Sequence, residues 1–133
     1  MKKNADALKL EYDVAETLGK HGFWAHVCAK GRDGSQPCDI IAINHSGKHL
    51  IDAKLCSGKR FVLDRMEDNQ LNSMKWFKKR CGGHGWFAIS INGDIYMMDG
   101  EYLEMLQTIG EKSISRFSKE DRLENWINAF KDQ

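Results

Sequence analysis

The sequence has 133 residues, 41% of them hydrophobic, enough for one globular core and too few for two comfortable domains. Its four cysteines (Cys28, Cys38, Cys56, Cys81) include no C-x-x-C pair, which argues against a zinc site or a disulfide framework and for reduced packing thiols. The net charge is only +1, which does not mark a protein relying on bulk phosphate attraction; yet residues 1–98 carry 15 Lys or Arg against 11 Asp or Glu, and residues 99–133 carry 5 against 8, so a polyanion should meet the first part.

The chain opens on Lys2 and Lys3 and then turns polar (NADALKLEYD) where a signal peptide would be apolar. No later run approaches a membrane span, so a cytoplasmic protein, or one in host cytoplasm if viral, is expected. Residues 5–20 place Leu8, Val14, Ala15 and Leu18 at helical spacing, and His21-Gly22 supplies a stop. FWAHVCA reads as a strand, and the polar loop KGRDGSQP leads into two strands around NHSGKH, with Ser46-Gly47 as the turn. A helix is expected over about 65–81. A second hairpin follows, its Asn92-Gly93 turn being the clearest local signal in the chain. Two helices end it, near 100–108 and in SKEDRLENWINAF, where Ser118 and Asp121 resemble a capping box and Leu123, Trp126, Ile127 and Phe130 form a stripe. This order implies an α/β fold, one domain over 1–133 with a central mixed five-stranded sheet flanked by helices.

Three charges interrupt the apolar pattern of the first hairpin. A Ser46-Gly47 turn pairs Ile41 with Asp52 and Asp39 with Lys54, and strand alternation then puts Asp39, Asp52 and Lys54 on one face. Glu11 lies on the first helix among Leu8, Ala15 and Leu18, where a carboxylate is costly unless paired or metal-bound. Gln70 lines up with Met74, Phe77 and Cys81 on its own helix, so all five polar groups can converge. The bland reading makes Asp39 an exposed turn residue, Asp52 half of an ordinary ion pair with Lys54 or Lys30, Glu11 a rim residue and Gln70 a strand-end cap. The convergence weighs against it. Acid oxygens suit a hard cation such as Mg²⁺, with Mn²⁺ as a substitute, and such an ion polarises a phosphodiester. Lys54 would then orient or help deprotonate the attacking water, or neutralise developing charge.

These residues resemble the D-x(n)-(D/E)-x-K core of the PD-(D/E)xK nucleases, with Asp39 twelve residues before Asp52-Ala53-Lys54 and Pro37 displaced by one. LEYDVAETLGKHGF is similar to the first helix of archaeal-type Holliday junction resolvases, Gly34-Ser35 stands four residues before Asp39 as in that family, and LNSMKWFKKRCGGHGWFAI is similar to its helix, Gly-Gly and next strand. Gln70 resembles the glutamine on this helix in RecU-like resolvases. The likeness covers about residues 5–98 and implies a restriction-endonuclease-like core, with 99–133 a helical extension suited to packing or a subunit contact.

The resemblance further implies a metal held by Glu11, Asp39 and Asp52, Lys54 acting on the water, and Ser35 and Gln70 assisting at the scissile phosphate. It implies a homodimeric endodeoxyribonuclease acting on branched DNA, namely four-way junctions. The rival readings are a nuclease of the same fold cutting flaps, ends or duplex, and a non-catalytic DNA-binding protein. Tyr12 and Val27 stand where the family has arginines, and Asp52 replaces its commoner glutamate. Lys30, Arg32, Lys59, Arg60 and Arg65 flank the acids in sequence and could contact phosphates or simply be solvated. Trp24, Trp76, Trp86 and Trp126 read as core or interface residues, and His45 and His49 as flanks of a turn.

Overall fold

The computed structural model describes residues 5–29 and 36–133. Ser35, Lys30 and Arg32 therefore lie outside the described residues. The elements run α1 (Ala5–Lys20), β1 (Trp24–Val27), β2 (Ile40–Asn44), β3 (Gly47–Leu55), β4 (Phe61–Val62), α2 (Asp68–Cys81), β5 (His84–Ile91), β6 (Asp94–Asp99), α3 (Gly100–Thr108), β7 (Ser113–Ile114) and α4 (Leu123–Phe130). Five strands form one mixed sheet in the order β1-β2-β3-β5-β6, antiparallel except for the parallel β3–β5 pair that α2 bridges. No helix of the described residues is long and apolar enough to cross a membrane.

Each face of the sheet has its own core. On one, Leu10, Val14 and Leu18 of α1 and Leu123, Trp126 and Ile127 of α4 pack against Ile40, Ala42, Ile51, Ala88 and Met97. On the other, Leu71 and Met74 of α2 and Leu103 of α3 join Phe61, Leu63, Phe87, Ile89 and Met98. Gly85 permits α2 to sit this low, because a Cβ there would overlap the Met74 side chain. The Asn92-Gly93 turn is formed as expected, with both residues at positive φ (51° and 87°), the conformation a right-twisted two-residue hairpin requires.

Several local expectations shift. Leu8 is exposed and Leu10 takes its place on the buried face of α1. The helix expected from about 65 begins at Asp68, after a separate 3-10 turn over Leu63–Arg65. Ser118 caps a 3-10 turn, its hydroxyl accepting from Glu120 N at 3.2 Å, and α4 starts only at Leu123. A small second sheet, β4 with β7, ties the extension to the core.

His49 is buried rather than a turn flank, and its Nδ1 accepts from the Trp86 indole N–H at 2.9 Å. The rings of Phe23, Trp126 and Phe130 surround it at 6.2, 4.9 and 5.3 Å. Burial, with His84 nearby, lowers its pKa from 6.5 to about 4. The sign follows: a depressed imidazole leaves its full contribution to stability above pH 6.5, and that contribution is lost as pH falls toward 4. The His49 ring resonances in an NMR titration should stay those of the neutral form from pH 7 to about 5; a midpoint near 6.5 would contradict the burial.

Candidate active site

The first hairpin turns one residue earlier than expected. Asn44 Oδ1 accepts from the backbone N–H groups of Ser46 and Gly47, both at 3.0 Å, so Asn44 and Gly47 close the turn around His45-Ser46. The observed register pairs Ile40 with Ile51 and Ile41 with Leu50, which corrects the expected pairing of Ile41 with Asp52 and Asp39 with Lys54. Asp39 stands just before β2, where its N–H donates to the Ile51 carbonyl at 3.1 Å and its carboxylate accepts from Ala53 N, which brings it beside Asp52. The correction is by two residues, and side chains alternate with a period of two, so Asp52 and Lys54 keep the face expected of them, and Asp39 reaches Asp52 from the end of β2. It is the face of Phe87 and Ile89, which stand beside Asp52 and Lys54 on β5.

All three charged groups are buried. Asp39 Oδ2 accepts from Ala53 N at 2.9 Å and its Oδ1 accepts from Gln36 Nε2 at 3.2 Å, so its carboxylate is braced against β3. Lys54 Nζ lies 3.1 Å from Asp52 Oδ2. Burial pushes the Asp52 carboxyl from 3.8 up to about 7; the neighbouring Asp39 carboxylate pushes the same way and Lys54 opposes both. Two carboxylates share a buried site with one ammonium, and ionising both leaves an uncompensated negative charge. A hard divalent cation fits that donor set.

Glu11 is buried on the inward side of α1, in the helix that packs over Ile40 and Ile51. Asp52 and Lys54 alternate to the opposite face. Among the described residues, no group of three His, Cys, Asp or Glu side chains stands close enough to hold an ion. Gln70 sits in the first turn of α2, where its Oε1 accepts from Glu67 N at 3.0 Å while Glu67 accepts from the Gln70 backbone, a capping box. Lys59 and Arg60 are exposed in the segment after β3. Arg65 is exposed too, with its guanidinium 5.8 Å over the Phe61 ring and 3.4 Å from Cys56 Sγ. Trp86 and Trp126 are in the aromatic cluster, whereas Trp24 and Trp76 are exposed.

Two features near the acids carried no sequence signal. Gln36 braces Asp39 from three residues upstream. Cys28 and Cys38, expected as separate packing residues, have their Sγ atoms 3.8 Å apart, and burial with this contact pushes the Cys38 thiol up. The cysteine contact depends on how β1 and β2 pair across the intervening loop, which local spacing does not encode.

The fold is shared with Archaeoglobus fulgidus Hjc, a Holliday junction resolvase from an archaeal hyperthermophile: TM-score 0.62 at 19% identity, covering 88% of each chain. A protein of unknown function, AF1548, aligns with a TM-score of 0.46 at 14% identity over 90% of this chain and 64% of its own. No curated protein sequence matches the chain. The family model for archaeal Holliday junction resolvases (Hjc) matches residues 2–132, well past residue 98 where the motif resemblance ends. With that match spanning the extension as well as the core, the chain belongs to the archaeal Holliday junction resolvase family of endonucleases.

Proposed function

We propose that the protein is a homodimeric, Mg²⁺-dependent endodeoxyribonuclease that resolves four-way DNA junctions, with Asp39, Asp52 and Lys54 as the centre of its site. The observation that carries this reading is the buried Asp39–Asp52 pair with Lys54 Nζ 3.1 Å from Asp52, in a chain of the resolvase family. Asp39 and Asp52 would hold the cation between them; the family resemblance adds Glu11, which faces the sheet from α1, as a further ligand, and Mn²⁺ would substitute for Mg²⁺. When bound, the ion supplies Lewis acidity against the scissile phosphate.

The remaining work belongs to the chain. Asp39 keeps its carboxylate aimed because Ala53 N–H and Gln36 hold its two oxygens. Lys54 presents an ammonium beside Asp52, where it orients the attacking water and neutralises charge that builds on the phosphate oxygens. The apolar neighbours Phe87 and Ile89 keep the local dielectric low, which strengthens both effects. Ser35 and Gln70 would assist at the scissile phosphate, and Lys30, Arg32, Lys59, Arg60 and Arg65 would hold the flanking backbone. A dimer places two such sites on opposed strands of one junction. We place residues 1–133 in a single nuclease domain acting in the cytoplasm.

Incubation with a synthetic four-way junction, a flap and a linear duplex tests the reading. Paired nicks on the junction that need added Mg²⁺ are expected, with little cutting of the linear duplex. Equal cutting of all three would replace junction resolution with a general nuclease activity, and no metal-dependent nicks would sink the reading.

A further inference from the structure

Strand β1 is an edge strand, and its register assigns a second set of side chains to the catalytic face. Trp24 pairs with Ile43 and Ile43 with Lys48, while His26 pairs with Ile41 and Ile41 with Leu50. Directly opposed residues point the same way, so Trp24 and His26 stand on the face that carries Asp52 and Lys54. Among the described residues, helix α2 packs on β5 and part of β3 on this side, away from the β1–β2 strip. Trp24 is 60% exposed there and its neighbour Ile43 37%. The Trp24 indole lies nearly parallel to the His26 imidazole, at 10° with centroids 5.6 Å apart.

We propose that Trp24, backed by His26, is a stacking platform for a base of the branched DNA substrate. The inference rests on the junction-resolving function proposed above. Three observations select DNA bases as the occupant. The strip is continuous with the catalytic face, so DNA seated at Asp39 and Asp52 lies along it. Trp24 offers a broad π-face with a second ring behind it, which any base can use regardless of sequence. Its position also fits the spacing of a DNA strand. Cys28, four residues from Trp24, donates its N–H to the Asp39 carbonyl at 2.8 Å; at ~3.3 Å per strand residue the platform is about 13 Å from that level. That span is about four nucleotide steps at ~3.4 Å each. A branch point supplies bases whose faces are not enclosed by continuous stacking, so the platform would add affinity for branched over linear DNA.

The test uses the full-length native protein, Trp24→Ala and Trp24→Phe with a four-way junction carrying 2-aminopurine at successive positions near the branch. Binding is read without divalent metal and cleavage with Mg²⁺. The native protein and the Phe variant should change 2-aminopurine emission at positions about three to five nucleotides from the nick, and Trp24→Ala should abolish that change. Trp24→Ala should weaken junction binding roughly 5- to 150-fold. Its slope of log affinity against log salt should stay native, because stacking releases no counterions; Lys59→Ala should flatten that slope by about 0.9 if it touches a phosphate. Native junction affinity in Trp24→Ala overturns the platform. So does a shift of Trp24→Ala from dimer to monomer in sedimentation, which would make the strip a subunit contact. If the native protein neither binds nor cleaves the junction, the function falls and the platform with it.

Discussion

Asp52→Asn should slow junction cleavage by roughly 1000-fold or more while leaving a folded protein that still binds DNA. Asparagine keeps the size of the side chain and removes the charge that a cation would neutralise. The same change should stabilise the metal-free protein above neutral pH. In the fold the Asp52 carboxyl is raised from 3.8 to about 7, chiefly by burial. Below pH 3.8 both states hold the proton and the group contributes no pH dependence. As pH rises from 3.8 to 7 the unfolded chain loses the proton first, so the folded state binds more protons and stability declines. The penalty is complete above pH 7 and on the order of a few kcal/mol. Denaturant melts of the metal-free native protein should therefore show a decline between pH 4 and 7 that the Asn variant lacks. At pH 8, added Mg²⁺ should recover stability in the native protein and little in the variant. A variant that cleaves at the native rate would move the chemistry away from Asp52. Identical pH profiles would remove the strained carboxylate.

Much of this site was legible because its signal is a parity. Placing the turn at Ser46-Gly47 misassigned every partner in the hairpin, yet the error was two residues, so Asp52 and Lys54 kept the face expected of them and Asp39 still reaches Asp52 from the end of β2. An error of one would have sent Asp52 to the opposite face. The turn itself was misread because the Asn44 side chain, with its two hydrogen bonds to the backbone, sets the reversal, and propensity alone does not register that choice. Asn92-Gly93 was read correctly because few other residues accept positive φ at both central positions. Gln70 keeps its helical phase with Met74, Phe77 and Cys81, but α2 begins only at Asp68, so its side chain turns back to close the capping box on Glu67. Pairings between distant segments left no local trace. The two-residue strands β4 and β7 meet across the whole of α2, β5, β6 and α3, and His49 finds its ring partners in β5 and α4. Where Glu11 stands relative to the aspartates is likewise a matter of tertiary placement, and a helical wheel can say only that Glu11 faces inward.

The C-terminal extension should prove integral to the nuclease core, and Trp126→Ala measures how strongly. The indole is buried on α4 and its ring centroid lies 5.7 Å from Phe23, 5.5 Å from Trp86 and 4.8 Å from Phe130, besides the contact with His49. Removing it opens a cavity between α4 and the sheet, and large aromatic-to-alanine changes of this kind cost about 3–5 kcal/mol. That is a large share of the ~5–15 kcal/mol stability of an ordinary domain. Trp126→Phe is the discriminating control. Among the described residues the buried Trp126 Nε1 has no hydrogen-bond partner, so phenylalanine keeps most of the ring packing and also removes an unsatisfied donor. It should cost less than ~1.5 kcal/mol. Urea melts at pH 7 report both changes. A single transition should shift as a whole in the Ala variant, because α4 and α1 share one core with Ile51, the neighbour of Asp52. A loss under about 1 kcal/mol, or a separate early transition confined to α4, would mean that the extension merely rests on the sheet and that β3 holds its carboxylate without it.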